Sequence, residues 1–109
     1  MSKKIPLGPA DLGEGEMRGY AIGKRNLLVA CINGRFKALD DWCNHAGCLL
    51  SGGWLEARKN RVVCPCHEIA FDLDTGKNET SPSMCDDQRR YDLLVEDGQL
   101  VVIGFEQER

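Results

Sequence analysis

The sequence predicts an all-β domain. Three observations carry that reading. Short runs rich in apolar and β-branched residues recur between turn signals. Two hairpin dipeptides, Asn33-Gly34 and Asp97-Gly98, each sit between such runs. No segment sustains the 3.6-residue apolar period of a helix. A chain of 109 residues with 12 glycines suits one domain of short strands and many turns. No repeat, low-complexity run or linker interrupts it, so residues 1–109 read as a single domain.

The elements follow in order. KKIPLG (residues 3–8) is a first edge strand, because Pro6 has no N–H to give an inner ladder. EMRGYAIG (16–23) is the second strand. RNLLVACIN (25–33) is the most apolar run and the third. Asn33-Gly34 supplies the two positive-φ positions of a type I′ turn, and RFKALDD (35–41) alternates beyond it. WLEAR (54–58) reads as a short turn. RVVC (61–64) and EIAFDLD (68–74) make a second pair, after which Thr75-Gly76 turns the chain. RRYDLLVED (89–97) and QLVVIG (99–104) flank Asp97-Gly98 as a closing hairpin.

Composition narrows the function. A net charge of −3 argues against a nucleic-acid binder, which would carry a basic stripe. It suits a soluble partner with a basic docking face, and equally suits solvation alone. The longest apolar run, LLVACI (27–32), has the length of a strand and falls far short of the ~18 residues that span a bilayer. The first dozen residues lack the apolar core of a signal peptide. The expectation is a cytoplasmic protein with no membrane anchor. Six cysteines in that compartment suggest metal binding before a disulfide framework.

Both histidines and four of the six cysteines fall in two short segments, CNHAGC (43–48) and CPCH (64–67). Cys43-x-His45 and Cys64-x-x-His67 each pair one thiolate with one imidazole, in loops anchored by strands. Two uses fit that set: a tetrahedral zinc site, or a [2Fe-2S] cluster with two cysteines on one iron and two histidines on the other. Zinc fingers normally put two cysteines in one element and two histidines in another. Here each loop supplies one of each.

At this point the sequence resembles the Rieske iron–sulfur proteins over nearly its whole length. Their pattern of C-x-H, a spacer, then C-x-x-H is met by Cys43, His45, Cys64 and His67. An aromatic-Asp pair, a Thr-Gly turn and a later proline follow, here Phe71-Asp72, Thr75-Gly76 and Pro82. The resemblance implies an antiparallel β base with an inserted cluster-binding subdomain, whose loops span about 42–53 and 64–69. It implies that one [2Fe-2S] cluster is bound per chain. Cys43 and Cys64 would take the buried iron, and His45 and His67 the outer, reducible one. In the respiratory and photosynthetic members, cysteines at the places of Cys48 and Cys66 form a disulfide, so the resemblance implies that bridge here. Those members also follow CPCH with Gly, then Ser, then Tyr two residues later, whose hydroxyls donate to cluster sulfurs. Here Glu68, Ile69 and Phe71 stand there, and neither Ile nor Phe can donate; the missing glycine puts the loop geometry in question.

The function so implied is that of a soluble Rieske-type ferredoxin. Such a protein is a one-electron carrier, not itself an enzyme. It would run from a flavin-containing reductase to an oxygenase or other redox enzyme, with partners docking near His45 and His67. The alternatives are an electron-transfer subunit of a larger oxidoreductase and a zinc-stabilised interaction domain. Cys31 is expected as a small buried hydrophobe, and Cys85 as a residue facing the cluster or, by default, as a free surface thiol. Pro82 resembles the family's proline loop, which covers the cluster. Trp42 and Trp54 are read as a shield for the cluster or as plain core. Met84 and Leu49 are read as an apolar rim, and DDQRR (86–90) as a solvated connection.

Overall fold

The computed structural model describes residues 4–44 and 47–104. Among the described residues nine strands make two antiparallel sheets. The base holds β1 (Lys4–Pro9), β2 (Met17–Ile22), β3 (Arg25–Ile32), β4 (Arg35–Asp40), β8 (Arg90–Glu96) and β9 (Gln99–Ile103), in spatial order β1-β9-β8-β4-β3-β2. The smaller sheet, β5 (Trp54–Glu56), β6 (Arg61–Val63) and β7 (Ala70–Asp72), is inserted between β4 and β8. The family-like architecture expected from the sequence, a base with an inserted subdomain, is therefore present.

The hairpins form where the dipeptides place them. Ile32 pairs with Arg35 across Asn33 (φ 55°) and Gly34 (φ 75°), and Glu96 pairs with Gln99 across Asp97 (φ 53°) and Gly98 (φ 76°). Both turns thus have the two left-handed residues of type I′, whose twist matches the strands. β1, with Pro6, is an edge strand as expected and shifts register between Pro6 and Gly8.

One expectation fails. Trp54–Glu56 is a strand rather than a turn; it pairs with Arg61–Val63, and a 3₁₀ turn at Ala57–Lys59 connects them. Three residues are too few to show a period of two, so only the pairing reveals the strand.

β3 joins two cores. Its residues 27–32 are all buried, and successive side chains point to opposite faces. Leu28, Ala30 and Ile32 pack with Leu50, Val62, Phe71 and the cysteines of the inserted sheet. Leu27, Val29 and Cys31 pack with Tyr91, Leu100 and Val102 of the base. Cys31 is the buried small hydrophobe expected, and burial pushes its thiol pKa up. Among the described residues no helix is long and apolar enough to cross a membrane.

A buried carboxylate fastens the inserted sheet to the base. Asp41, 2% exposed, accepts from the Ser51 N–H and the Ser51 hydroxyl, each at 2.7 Å. Its backbone N–H reaches the Asn26 carbonyl, and its carbonyl accepts from the Leu50 N–H. The bonds to Leu50 and Ser51 join the two chain ends that flank the first cysteine–histidine segment, and the bond to Asn26 ties them to β3.

Candidate metal centre

Both ligand segments are hairpin tips of six residues. The first, 43–48, is closed by a bridge between Trp42 and Leu49; the second, 64–69, by the pair Val63 and Ala70. Their internal bonding is the same. The first residue's N–H donates to the sixth residue's carbonyl: Cys43 to Cys48 at 2.7 Å and Cys64 to Ile69 at 2.9 Å. The fifth residue's N–H donates back to the first carbonyl: Gly47 to Cys43 at 3.3 Å and Glu68 to Cys64 at 2.9 Å. That reversal demands a left-handed fifth residue, and Gly47 has φ 65° while Glu68 has φ 56°. The loop geometry questioned for want of a glycine is therefore kept, with glutamate bearing the strain.

The equivalent bonding puts Cys43 and Cys64 at matching places on the core side. They are 3% and 1% exposed, among Leu50, Ile69 and Phe71. His67, in the same loop as the buried Cys64, is exposed. His45 lies outside the described residues. Cys48 and Cys66 form a disulfide with Cα atoms 6.4 Å apart, so the sixth residue of the first loop is bonded to the third of the second. β5 leans on the same assembly: a Cβ on Gly53 would lie 1.9 Å from the Val63 carbonyl oxygen and 3.1 Å from Pro65. Only glycine allows that approach.

The segment after β7 folds beside the first loop. Asn78, 1% exposed, anchors it: Nδ2 donates to the carbonyls of Ser81 (2.9 Å) and Cys85 (3.1 Å), and Oδ1 accepts from the N–H groups of Thr80 and Ser81. Cys85, expected as a surface thiol, is half-buried against the core and accepts from Asn78 Nδ2 at 3.3 Å; burial pushes its pKa up. Pro82, Ser83 and Met84 are exposed and line a groove with Asn44. Residues 86–90 are exposed, as expected of a solvated connection, except Gln88, which is 4% exposed and bonded to the first loop. Trp42 and Trp54 are 45% and 44% exposed, which removes the reading of both as core.

Among the described residues no three His, Cys, Asp or Glu side chains form a group able to hold a single metal ion. A [2Fe-2S] cluster asks for less at each metal: two protein ligands per iron, the bridging sulfides supplying the rest. Two buried thiols and an exposed imidazole fit that donor pattern.

The chain belongs to the Rieske [2Fe-2S] domain family, whose model matches residues 5–102. It is 35% identical over 92 residues to the biphenyl 2,3-dioxygenase ferredoxin component of Rhodococcus jostii, covering 84% of this chain and 83% of that one. It is 30% identical over 86 residues to the ferredoxin component of the naphthalene 1,2-dioxygenase/salicylate 5-hydroxylase systems of a Ralstonia species, covering 79% and 80%. A solved complex of reduced oxygenase and oxidized ferredoxin in carbazole 1,9a-dioxygenase contains a chain that superposes with a TM-score of 0.83. That match is 27% identical and covers 97% of both chains.

Proposed function

We propose that this protein is a soluble Rieske-type ferredoxin, an electron carrier serving an oxygenase. Its named relatives are ferredoxin components rather than catalytic subunits. In this reading one [2Fe-2S] cluster is held per chain, by Cys43 and Cys64 on one iron and His45 and His67 on the other. The cluster supplies a one-electron couple when bound. The observation that carries the assignment is the matched pair of loops: identical backbone bonding sets both cysteines inward, and a disulfide locks the two tips together. With buried thiolates and an exposed imidazole as ligands, the easier-to-reduce iron would lie at the surface, where an electron can leave.

A flavin-containing reductase and an oxygenase, or another redox enzyme, would dock at that end, near His45 and His67. The surface supports this. Of five large hydrophobics exposed among the described residues, four (Trp42, Leu49, Trp54 and Met84) adjoin the loops or the 81–87 segment. Residues 43–48, 64–69 and 81–87 carry Glu68, Asp86 and Asp87 and no lysine or arginine. An apolar patch with an acidic edge suits a partner with a basic rim. A cytoplasmic location belongs to the same reading and is checked by cell fractionation.

Purified protein should be red-brown, contain iron and acid-labile sulfide in equal amounts, and give a Rieske EPR signal after dithionite reduction. His67→Ala should abolish that signal. A colourless protein with stoichiometric zinc would overturn the reading in favour of a zinc-stabilised domain.

A further inference from the structure

The connection between β7 and β8 holds a buried side-chain amide for which the ligand pattern gives no reason. Gln88 donates through Nε2 to the carbonyls of Asp40 (2.9 Å) and Trp42 (2.8 Å). Its Oε1 accepts from the Asn44 backbone N–H (3.0 Å) and also from Asn44 Nδ2. One side chain therefore grips the backbone on both sides of Cys43. The grip is returned: Asn44 Nδ2 donates to the Asp86 carbonyl (2.9 Å), and Asn44 Oδ1 accepts from the Asp86 N–H (2.9 Å). Asn44 serves residue 86 as a neighbouring strand would, and its own place in the chain is between Cys43 and His45.

We propose that Asn44 and Gln88 are positioning residues of the metal centre. They form a two-amide clamp that holds the Trp42–Asn44 backbone around Cys43 in one geometry through both oxidation states. The proposal rests on the Rieske reading above and adds to it residues that bind no metal.

The chemistry favours amides in this role. Gln88 must donate to two carbonyls and accept from two N–H groups at once. Asn44 must both donate to and accept from one residue. A carboxylate at position 88 would face the Asp40 and Trp42 carbonyls with like charge. An apolar side chain there would give up all four of these bonds, and a buried backbone group that loses its partner is costly. A neutral amide also adds no net charge beside the cluster, so the clamp fixes geometry without its own pH dependence. The first loop is then secured at both ends, by Gln88 around Cys43 and by the disulfide at Cys48. Electron transfer is fastest when ligands need not rearrange, and ligands held from behind are the means to that.

The test uses the iron-loaded protein with Gln88→Met, Asn44→Ala and, as a control, Glu14→Ala. Glu14 accepts from the Asn33 and Gly34 N–H groups at the β3–β4 turn and touches neither loop. Both clamp variants should broaden the Rieske EPR lines, and the electron-transfer rate at an electrode should fall about tenfold, a barrier rise of about 1.4 kcal/mol. Glu14→Ala should lower the melting temperature and leave both readings unchanged. Asn44 is exposed, so its variant carries the test if Gln88→Met does not fold. Wild-type line widths and rates in the clamp variants, whatever their melting temperatures, would overturn the proposal. Absence of a Rieske signal in the unsubstituted protein would overturn the underlying reading instead, and the clamp with it.

Discussion

Glu68 and Gly47 occupy the same place in their loops, at φ 56° and 65°. For glycine that conformation is free; for glutamate the Cβ crowds the following carbonyl. Glu68→Gly should therefore stabilise the fold by about 1 kcal/mol, the left-handed cost of one residue. Gly47→Ala should destabilise it by a similar amount, about 1 kcal/mol. Urea unfolding of both variants checks the pair, and opposite signs are the expected result. The residues most legible in the sequence were those of rare type. Cysteine and histidine at fixed spacing announce a metal, so Cys43, His45, Cys64 and His67 could be singled out at once. Asn44, Asn78 and Gln88 could not. They are common amides whose roles come from partners far along the chain, 44 residues away between Asn44 and Gln88. Asp41 is hidden for the same reason: a carboxylate reads as solvated until the fold buries it against a partner such as Ser51.

Strand ends are tied together by one phenol. Tyr91 in β8 donates to Asp40 Oδ1 at the end of β4 (2.7 Å), and Arg25 at the start of β3 donates to the Tyr91 oxygen (2.6 Å). Burial first, then the hydrogen bond to the Asp40 carboxylate, pushes the Tyr91 pKa from 10.0 up to about 12. The folded state thus favours the neutral phenol. Its contribution is complete below pH 10 and is lost as pH rises toward 12, because the unfolded phenol ionises first. Tyr91→Phe should cost about 1–2 kcal/mol near neutrality. It should also flatten the loss of stability between pH 10 and 12, as urea midpoints across that range would show. The disulfide acts at the same scale. Cys48→Ala frees the two hairpin tips from each other and should lower stability by about 2–4 kcal/mol, measured by thermal unfolding. Elements marked by Asn-Gly or Asp-Gly were read correctly because those dipeptides dictate a turn by themselves. β5 was missed because its three residues gain strand character only by pairing with β6.

At the scale of the whole molecule, the two cores meet across β3, and Cys43 and Cys64 belong to the one that includes Ile69 and Phe71. β3 is apolar on both faces, as a strand between two packed layers must be. What that packing means for the potential follows from chemistry. Hydrogen bonds to the cluster sulfurs stabilise the reduced, more negative state and raise the potential. In the respiratory members Ser and Tyr hydroxyls supply two such bonds, but Ile69 and Phe71 supply none. Both are fully buried here, so no water takes the place of the missing hydroxyls at those side chains. The net charge of −3 acts in the same direction, since it opposes an added electron. The midpoint should therefore lie toward the low end of the Rieske range, at about −150 to 0 mV. Phe71→Tyr keeps the ring and adds one donor, so it should move the midpoint upward. Ile69→Ser should do the same at a cost in stability of about 2–4 kcal/mol, because it also removes buried volume. Protein-film voltammetry measures all three proteins. A wild-type midpoint near +300 mV, the upper end of the range, would mean that backbone donors alone raise the potential and that the side chains at 69 and 71 are not its controls.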